Sequence, residues 1–189
     1  MADIKSMWPE DIGKMKKCMF SRASDEYETP PWLFSMLDKM FAFTLDPAAS
    51  DSSHVCPRYY TAADDGLSRS WEGETWFINP PYSKARLWIK GAAQRFTDKK
   101  SRGVVLIPAR TETLYWHEHI WPIAHYILFL KGRLKFVNKT LPSYGKGGKP
   151  SPAPYPSCVV IYCRPVLWPD ALDELSKYGR VLNLWDTPL

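Results

Sequence analysis

The run Thr75-Trp76-Phe77-Ile78, followed at once by Asn79-Pro80-Pro81, constrains this chain more than any other stretch. Four consecutive β-prone and mostly apolar residues read as a buried strand. Two prolines end it, because they bring no amide hydrogen to a ladder and fix φ at about −65°. A residue before proline is pushed toward extended geometry, so Asn79 is expected at the strand's carboxyl end with its side chain presented. A second run, Gly103-Val104-Val105-Leu106-Ile107-Pro108, is apolar almost throughout, as suits a strand covered on both faces of a parallel sheet. In open α/β sheets, ligands bind outside the carboxyl ends of the strands. Asn79 and the next aromatic, Tyr82, therefore stand where a ligand is expected.

Asn-Pro-Pro-Tyr suits attack by an exocyclic amine on an electrophilic methyl group. An amine conjugated to a heteroaromatic ring is a poor nucleophile, because its lone pair is delocalised into the ring. The side-chain oxygen of Asn79 and the backbone carbonyl of Pro80 can each accept one amine hydrogen, which localises the lone pair and aims it. Tyr82 offers a ring face on which a flipped base can stack, worth roughly 1–3 kcal/mol. The plainer alternative is a strand that ends in an Asn-Pro turn.

Composition narrows the setting. At 189 residues the chain has room for one cored domain or one domain with an appendage. The expected division is an arm over 1–26, a main domain over 27–168 and a helix and tail over 169–189. No apolar run approaches the ~18–20 residues of a membrane span. The charged start MADIKSMWPEDIGKMKK lacks the apolar stretch of a secretion signal. Cys18, Cys56, Cys158 and Cys163 form no CxxC pair, so reduced thiols in a cytoplasm are expected and a structural zinc site is not. A net charge of +5 and a pI near 9.0 are compatible with a nucleic-acid partner.

The remaining chain fills in an alternating pattern. Thr29 is placed to cap a helix that begins in Pro30-Pro31 and carries Trp32, Leu33, Met36, Leu37 and Met40 on one face. Phe41 to Leu45 reads as a short strand running into Asp46-Pro47-Ala48-Ala49-Ser50, whose small residues allow close approach of a ligand. Arg58 to Thr61 is a further short strand, followed by the acidic turn Asp64-Asp65-Gly66-Leu67. Residues 84–98 read as a helix, 111–121 as another, and 126–130 and 134–137 as strands. His117 and His119 lie two apart, on different helix faces, so no metal site is expected. Residues 138–156 form a loop dense in Gly, Pro, Ser and Lys, and its lysines suit DNA phosphates. Residues 157–163 make a last apolar strand, and 170–178 a helix closed by Gly179. The order implies an α/β fold: a mostly parallel sheet with an antiparallel edge hairpin and helices on both faces.

In that order, these strand ends resemble a class I S-adenosylmethionine-dependent methyltransferase with a Rossmann-like sheet. More closely, over roughly residues 25–165, they resemble the phage-type DNA N-6-adenine methyltransferase (Dam) family. Asn79-Pro80-Pro81-Tyr82 is similar to the family's catalytic (D/N)PP(Y/F) motif. Tyr27-Glu28-Thr29-Pro30 resembles its "TP" element, and Asp46-Pro47-Ala48 stands at its first cofactor motif. Asp64-Asp65-Gly66-Leu67 with Trp71 is similar to its acidic turn. The resemblance implies a catalytic group of Asn79, Pro80, Pro81 and Tyr82. It further implies S-adenosylmethionine contacts from Tyr27, Thr29, Pro30, Asp46, Pro47, Ala48, Asp64, Asp65, Leu67 and Asn79. Contacts to double-stranded DNA are expected from Arg110, Arg133, Lys135, Lys146 and Lys149, with no metal and no membrane partner. A phage or restriction-modification setting, in the cytoplasm of a bacterial host, follows from the same resemblance. One departure stands out: Pro-Ala-Ala-Ser replaces a glycine-rich loop after Asp46. Which of Asp64 and Asp65 takes the ribose is open. Also open are an RNA guanine or protein glutamine acceptor, and a nucleic-acid-binding domain of this fold without catalysis.

Overall fold

The four longest apolar runs lie side by side in the middle of one seven-stranded sheet. A computed structural model describes residues 28–51, 53–98, 101–136, 151–153, 155–164 and 167–185. The expected arm over 1–26, most of the 138–156 loop and the end of the tail lie outside them. In chain order the strands are β1 (Leu45–Asp46), β2 (Arg58–Tyr59), β3 (Thr75–Ile78), β4 (Arg102–Pro108), β5 (Tyr126–Leu130), β6 (Lys135–Phe136), β7 (Ser151–Pro152), β8 (Ser157–Tyr162) and β9 (Gly179–Asn183). The helices are α1 (Pro31–Phe41), α2 (Ala85–Thr97) and α3 (Pro169–Ser176). The main sheet runs β2-β1-β3-β4-β8-β5-β9, and β6 pairs with β7 in a small sheet of its own.

Strand alternation sorts the core into two layers. Phe77, Val104, Leu106, Leu128, Val159 and Ile161 face α1 and α3, where Leu33, Leu37 and Leu175 meet them. Trp76, Ile78, Val105, Ile107, Ile127 and Val160 face α2 and the turn around Trp116. Each such side chain, fully buried, contributes about 1.5–3 kcal/mol. The expected helices on both faces are therefore present. No described helix is long and apolar enough to cross a membrane.

The antiparallel part differs from the expected edge hairpin. β8 runs between β4 and β5, antiparallel to both, and β9 is antiparallel to β5. The pairs β2/β1, β1/β3 and β3/β4 are parallel. All six residues of β8 are buried, which an edge position does not provide. An apolar run marks a strand as interior, but pairing order is non-local and not written in the run itself.

Local boundaries also shift. The expected strand over 41–45 shrinks to β1, because α1 continues to Phe41 and closes on Ala42 at φ 51°. Thr29 does not cap α1. Pro30 occupies that position without a side-chain bond, and its carbonyl accepts from the Leu33 and Phe34 amides. In place of a full helix over 111–121 there is a turn followed by a π-helical turn, Trp116–Ile120. The helix expected over 170–178 is α3, and Gly179 opens β9 where a tail was expected. A Cβ on Gly179 would lie 1.9 Å from the Phe129 carbonyl oxygen, so its glycine serves strand approach and not helix termination.

Candidate active site

β1 lies between β2 and β3, so the chain leaves β1 to one side and returns on the other. Such a switch point opens a crevice at the carboxyl ends of the strands. Asp46 ends β1 and Asn79 follows β3, which puts both at this crevice. β4 and β5 run the same way as β3, so Arg110 and the 131–133 turn lie along the same edge.

Asn79 is half-buried, and its Nδ2 donates to Thr29 Oγ1 at 3.0 Å, across fifty residues of sequence. Pro80 is buried, and Pro81 (φ −52°, ψ 125°) leads into a 3-10 turn, Tyr82–Lys84, that feeds α2. The Tyr82 ring packs edge-on against Phe136, with centroids 6.3 Å apart at 78°. This contact ties β6, which pairs with β7, to the segment that follows Asn79.

Asp46 is 6% exposed. Its Oδ1 accepts from the Ala48 amide at 3.2 Å and its Oδ2 from the Val55 amide at 3.3 Å. Burial pushes this carboxyl up to about 7, against the opposing pull of those two amides. Among the described residues no lysine or arginine pairs with it. A buried carboxylate without a cation is one that a cationic ligand stabilises.

The acidic turn is built from within. Asp64 Oδ2 accepts from the Thr61 amide at 2.9 Å and from its hydroxyl at 2.8 Å, bonds that hold its pKa below the usual carboxylate range. Asp65 is exposed in the left-handed region at φ 48°. A Cβ on Gly66 would lie 2.0 Å from the Pro47 oxygen, so only glycine lets this turn rest on the loop after β1. Trp71 Nε1 donates to the Gly66 carbonyl at 2.8 Å. From α2, Arg95 Nη2 donates to the carbonyls of Leu67 at 2.5 Å and Arg69 at 3.0 Å, and its guanidinium sits 3.9 Å over the Trp71 ring. Gly66 thus gives close backbone packing between this turn and the loop after Asp46. Arg95 was missed by sequence reasoning. Its signal is Gly91, a glycine inside α2 that leaves room for Leu67.

Of the residues expected to touch DNA, Arg110, Arg133 and Lys135 are exposed. Arg110 Nε pairs with Glu112 at 2.9 Å, and its guanidinium lies 5.7 Å from the centre of the Tyr155 ring. Tyr27, Lys146 and Lys149 lie outside the described residues. Cys56, Cys158 and Cys163 are buried thiols whose pKa burial raises, Cys163 to about 11, so none is a ready thiolate. No cluster of three or more metal-ligating side chains occurs among the described residues.

A family model described as DNA N-6-adenine-methyltransferase (Dam) matches residues 17–165 of the chain. A DNA N-6-adenine-methyltransferase of Escherichia phage T1 is 28% identical over 96 residues, covering 50% of this chain and 40% of the phage protein. Another, from Haemophilus phage HP1 (strain HP1c1), is 22% identical over 116 residues, covering 60% of this chain and 67% of that protein. The chain thus spans less than half the length of the first of these relatives.

Proposed function

The chain belongs to the DNA N-6-adenine-methyltransferase (Dam) family, and on that premise we propose that it methylates N6 of adenine in double-stranded DNA with S-adenosylmethionine as donor. The observation that carries this reading is Asn79-Pro80-Pro81-Tyr82 at the carboxyl end of β3, beside the switch point. The mixed sheet with helices on both faces is compatible with the class I methyltransferase fold.

The cofactor supplies a methyl group on a sulfonium, electrophilic enough for direct transfer. The target adenine leaves the duplex and stacks on Tyr82. Asn79 Oδ1 and the Pro80 carbonyl accept its two N6 hydrogens, localising the lone pair toward the methyl carbon. The bound cofactor would give up that methyl group with its thioether as leaving group, and the methylated nitrogen would release one proton to water. No covalent enzyme intermediate is required, in keeping with the buried thiols.

Thr29, Pro30, Asp46, Pro47 and Ala48 would hold the methionine part of the cofactor, whose ammonium suits the uncompensated Asp46 carboxylate. Leu67 and one carboxylate of Asp64 and Asp65 would hold the adenosine part. Asp65 is the better candidate for an outward bond, since Asp64 Oδ2 is engaged by Thr61. Arg110, Arg133 and Lys135, with Lys146 and Lys149, would neutralise DNA phosphates.

Labelled S-adenosylmethionine, the protein and unmethylated duplex DNA, followed by nucleoside digestion, test the reading. Label in N6-methyladenine is the expected result. Cofactor binding with label in RNA or protein alone would replace DNA as substrate, and absence of cofactor binding would leave a binding domain of the same fold.

A further inference from the structure

We infer that Thr29 is a positioning residue that orients the Asn79 side-chain amide, so that Oδ1 and not Nδ2 meets the substrate amine. This deepens the proposed function and rests on it. The chemistry requires one orientation of the amide. With Nδ2 turned outward, amide N–H groups would face amine N–H groups, donor against donor, and the adenine lone pair would stay delocalised. With Oδ1 outward, Nδ2 needs an acceptor within the protein, and Thr29 Oγ1 stands 3.0 Å from it.

The Thr-Pro-Pro sequence explains why that hydroxyl is available. Threonine before a helix ordinarily spends its side chain on capping the first turn. Here Pro31 begins α1 without an amide hydrogen, and the Pro30 carbonyl accepts from the Leu33 and Phe34 amides. Thr29, held extended by the proline that follows it, is released from capping and directed across the edge to Asn79. A hydroxyl both donates and accepts, so it could in principle serve either end of the amide. If the cofactor's methionine carboxylate takes its hydrogen, Oγ1 remains an acceptor only and the amide is locked Oδ1-outward. Cofactor occupancy and the readiness of Asn79 would thereby be linked through one side chain.

The test compares Thr29→Val, which keeps the branched shape without the hydroxyl, with Thr29→Ser, which keeps the hydroxyl. Saturating kcat, KM for duplex DNA and S-adenosylhomocysteine affinity by calorimetry are read for each. Thr29→Val is expected to lower kcat roughly tenfold, the equivalent of one hydrogen bond, with KM for DNA unchanged and Ser restoring the rate. The decisive comparison is the Asn79→Asp background, where two equivalent oxygens need no orienting. There the Val penalty should nearly vanish. An equal penalty in both backgrounds, or a loss confined to S-adenosylhomocysteine affinity, would overturn the inference in favour of cofactor contact alone. So would an unchanged kcat for Thr29→Val. If the Val variant does not fold, Thr29→Ala in the same two backgrounds carries the comparison. Failure of the wild-type protein to label adenine would instead remove the proposed function itself.

Discussion

The two flanks of the crevice are built on opposite plans. On the β1–β2 side, the turn over 61–70 is held by the Trp71 indole, the Arg95 guanidinium, the Thr61–Asp64 bonds and the contact of Gly66 with Pro47. On the β4–β5 side, Arg110, Arg133 and Lys135 stand exposed, and the Arg110–Glu112 pair lies in solvent. The first flank is a shelf held by its own contacts, as would suit a small ligand of fixed shape. The second is an exposed, positively charged rim, as would suit contacts to the phosphates of a long polyanion. Buried bonds to backbone carbonyls rigidify; exposed ion pairs contribute about 0–1 kcal/mol and yield to salt.

If the shelf is as rigid as this contrast holds, its loss should be the most costly change. Trp71→Ala removes a ring that is 1% exposed and stacks on Trp88. It is expected to cost about 3–5 kcal/mol, read as a lower midpoint in denaturant unfolding, together with weakened cofactor binding. A small shift in midpoint would mean that Arg95 alone holds the turn.

Asn79→Ala lies at the boundary between the flanks and should separate chemistry from binding. Turnover is expected to fall at least about 10²–10³-fold, while S-adenosylhomocysteine affinity, measured by calorimetry, stays nearly intact. A fully active variant would remove Asn79 from the reaction.

Asp46 offers a pH test of the shelf. Its folded pKa is raised from 3.8 to about 7, so the folded protein holds this proton more tightly than the unfolded chain does. Stability therefore declines as pH rises between those values, and the full penalty is present above them. A ligand ammonium beside the carboxylate favours its ionised form. Each unit by which the ligand lowers that pKa corresponds to about tenfold tighter binding at high pH. Thermal shifts with S-adenosylhomocysteine at pH 5 and pH 8 are expected to show the larger stabilisation at pH 8. Equal shifts would mean that the ammonium lies elsewhere.

The rim should respond least, and only in DNA binding. Arg110→Ala and Arg133→Ala are each expected to lower the slope of log K against log salt by about 0.9, with unfolding free energy changed by no more than about 0.5 kcal/mol. A change in stability without a change in slope would reassign these residues to structure.

Much of the fold was legible because burial leaves a local mark. The runs at 75–78, 103–108, 126–130 and 157–162 appear as strands close to where the chain's own pattern puts them. What failed were the readings that depend on a distant partner. Gly179 looks like a helix stop in sequence, and only the Phe129 backbone beside it shows why glycine is needed. Thr29 looks like a cap, and only Asn79 across the crevice shows where its hydroxyl goes. Arg95 looks like a solvated helix residue until Trp71 and the Leu67 carbonyl lie beneath it.

The amino-acid order alone determined the two-layer α/β core and the strand stop that presents Asn79, because apolar periodicity and proline geometry act over a few residues. Tertiary structure alone decided that β8 enters between β4 and β5, that Asp46 is buried without a cation among the described residues, and that the acidic turn is clamped from α2. Those outcomes depend on contacts between segments tens of residues apart, whose energies exist only once the chain has closed on itself.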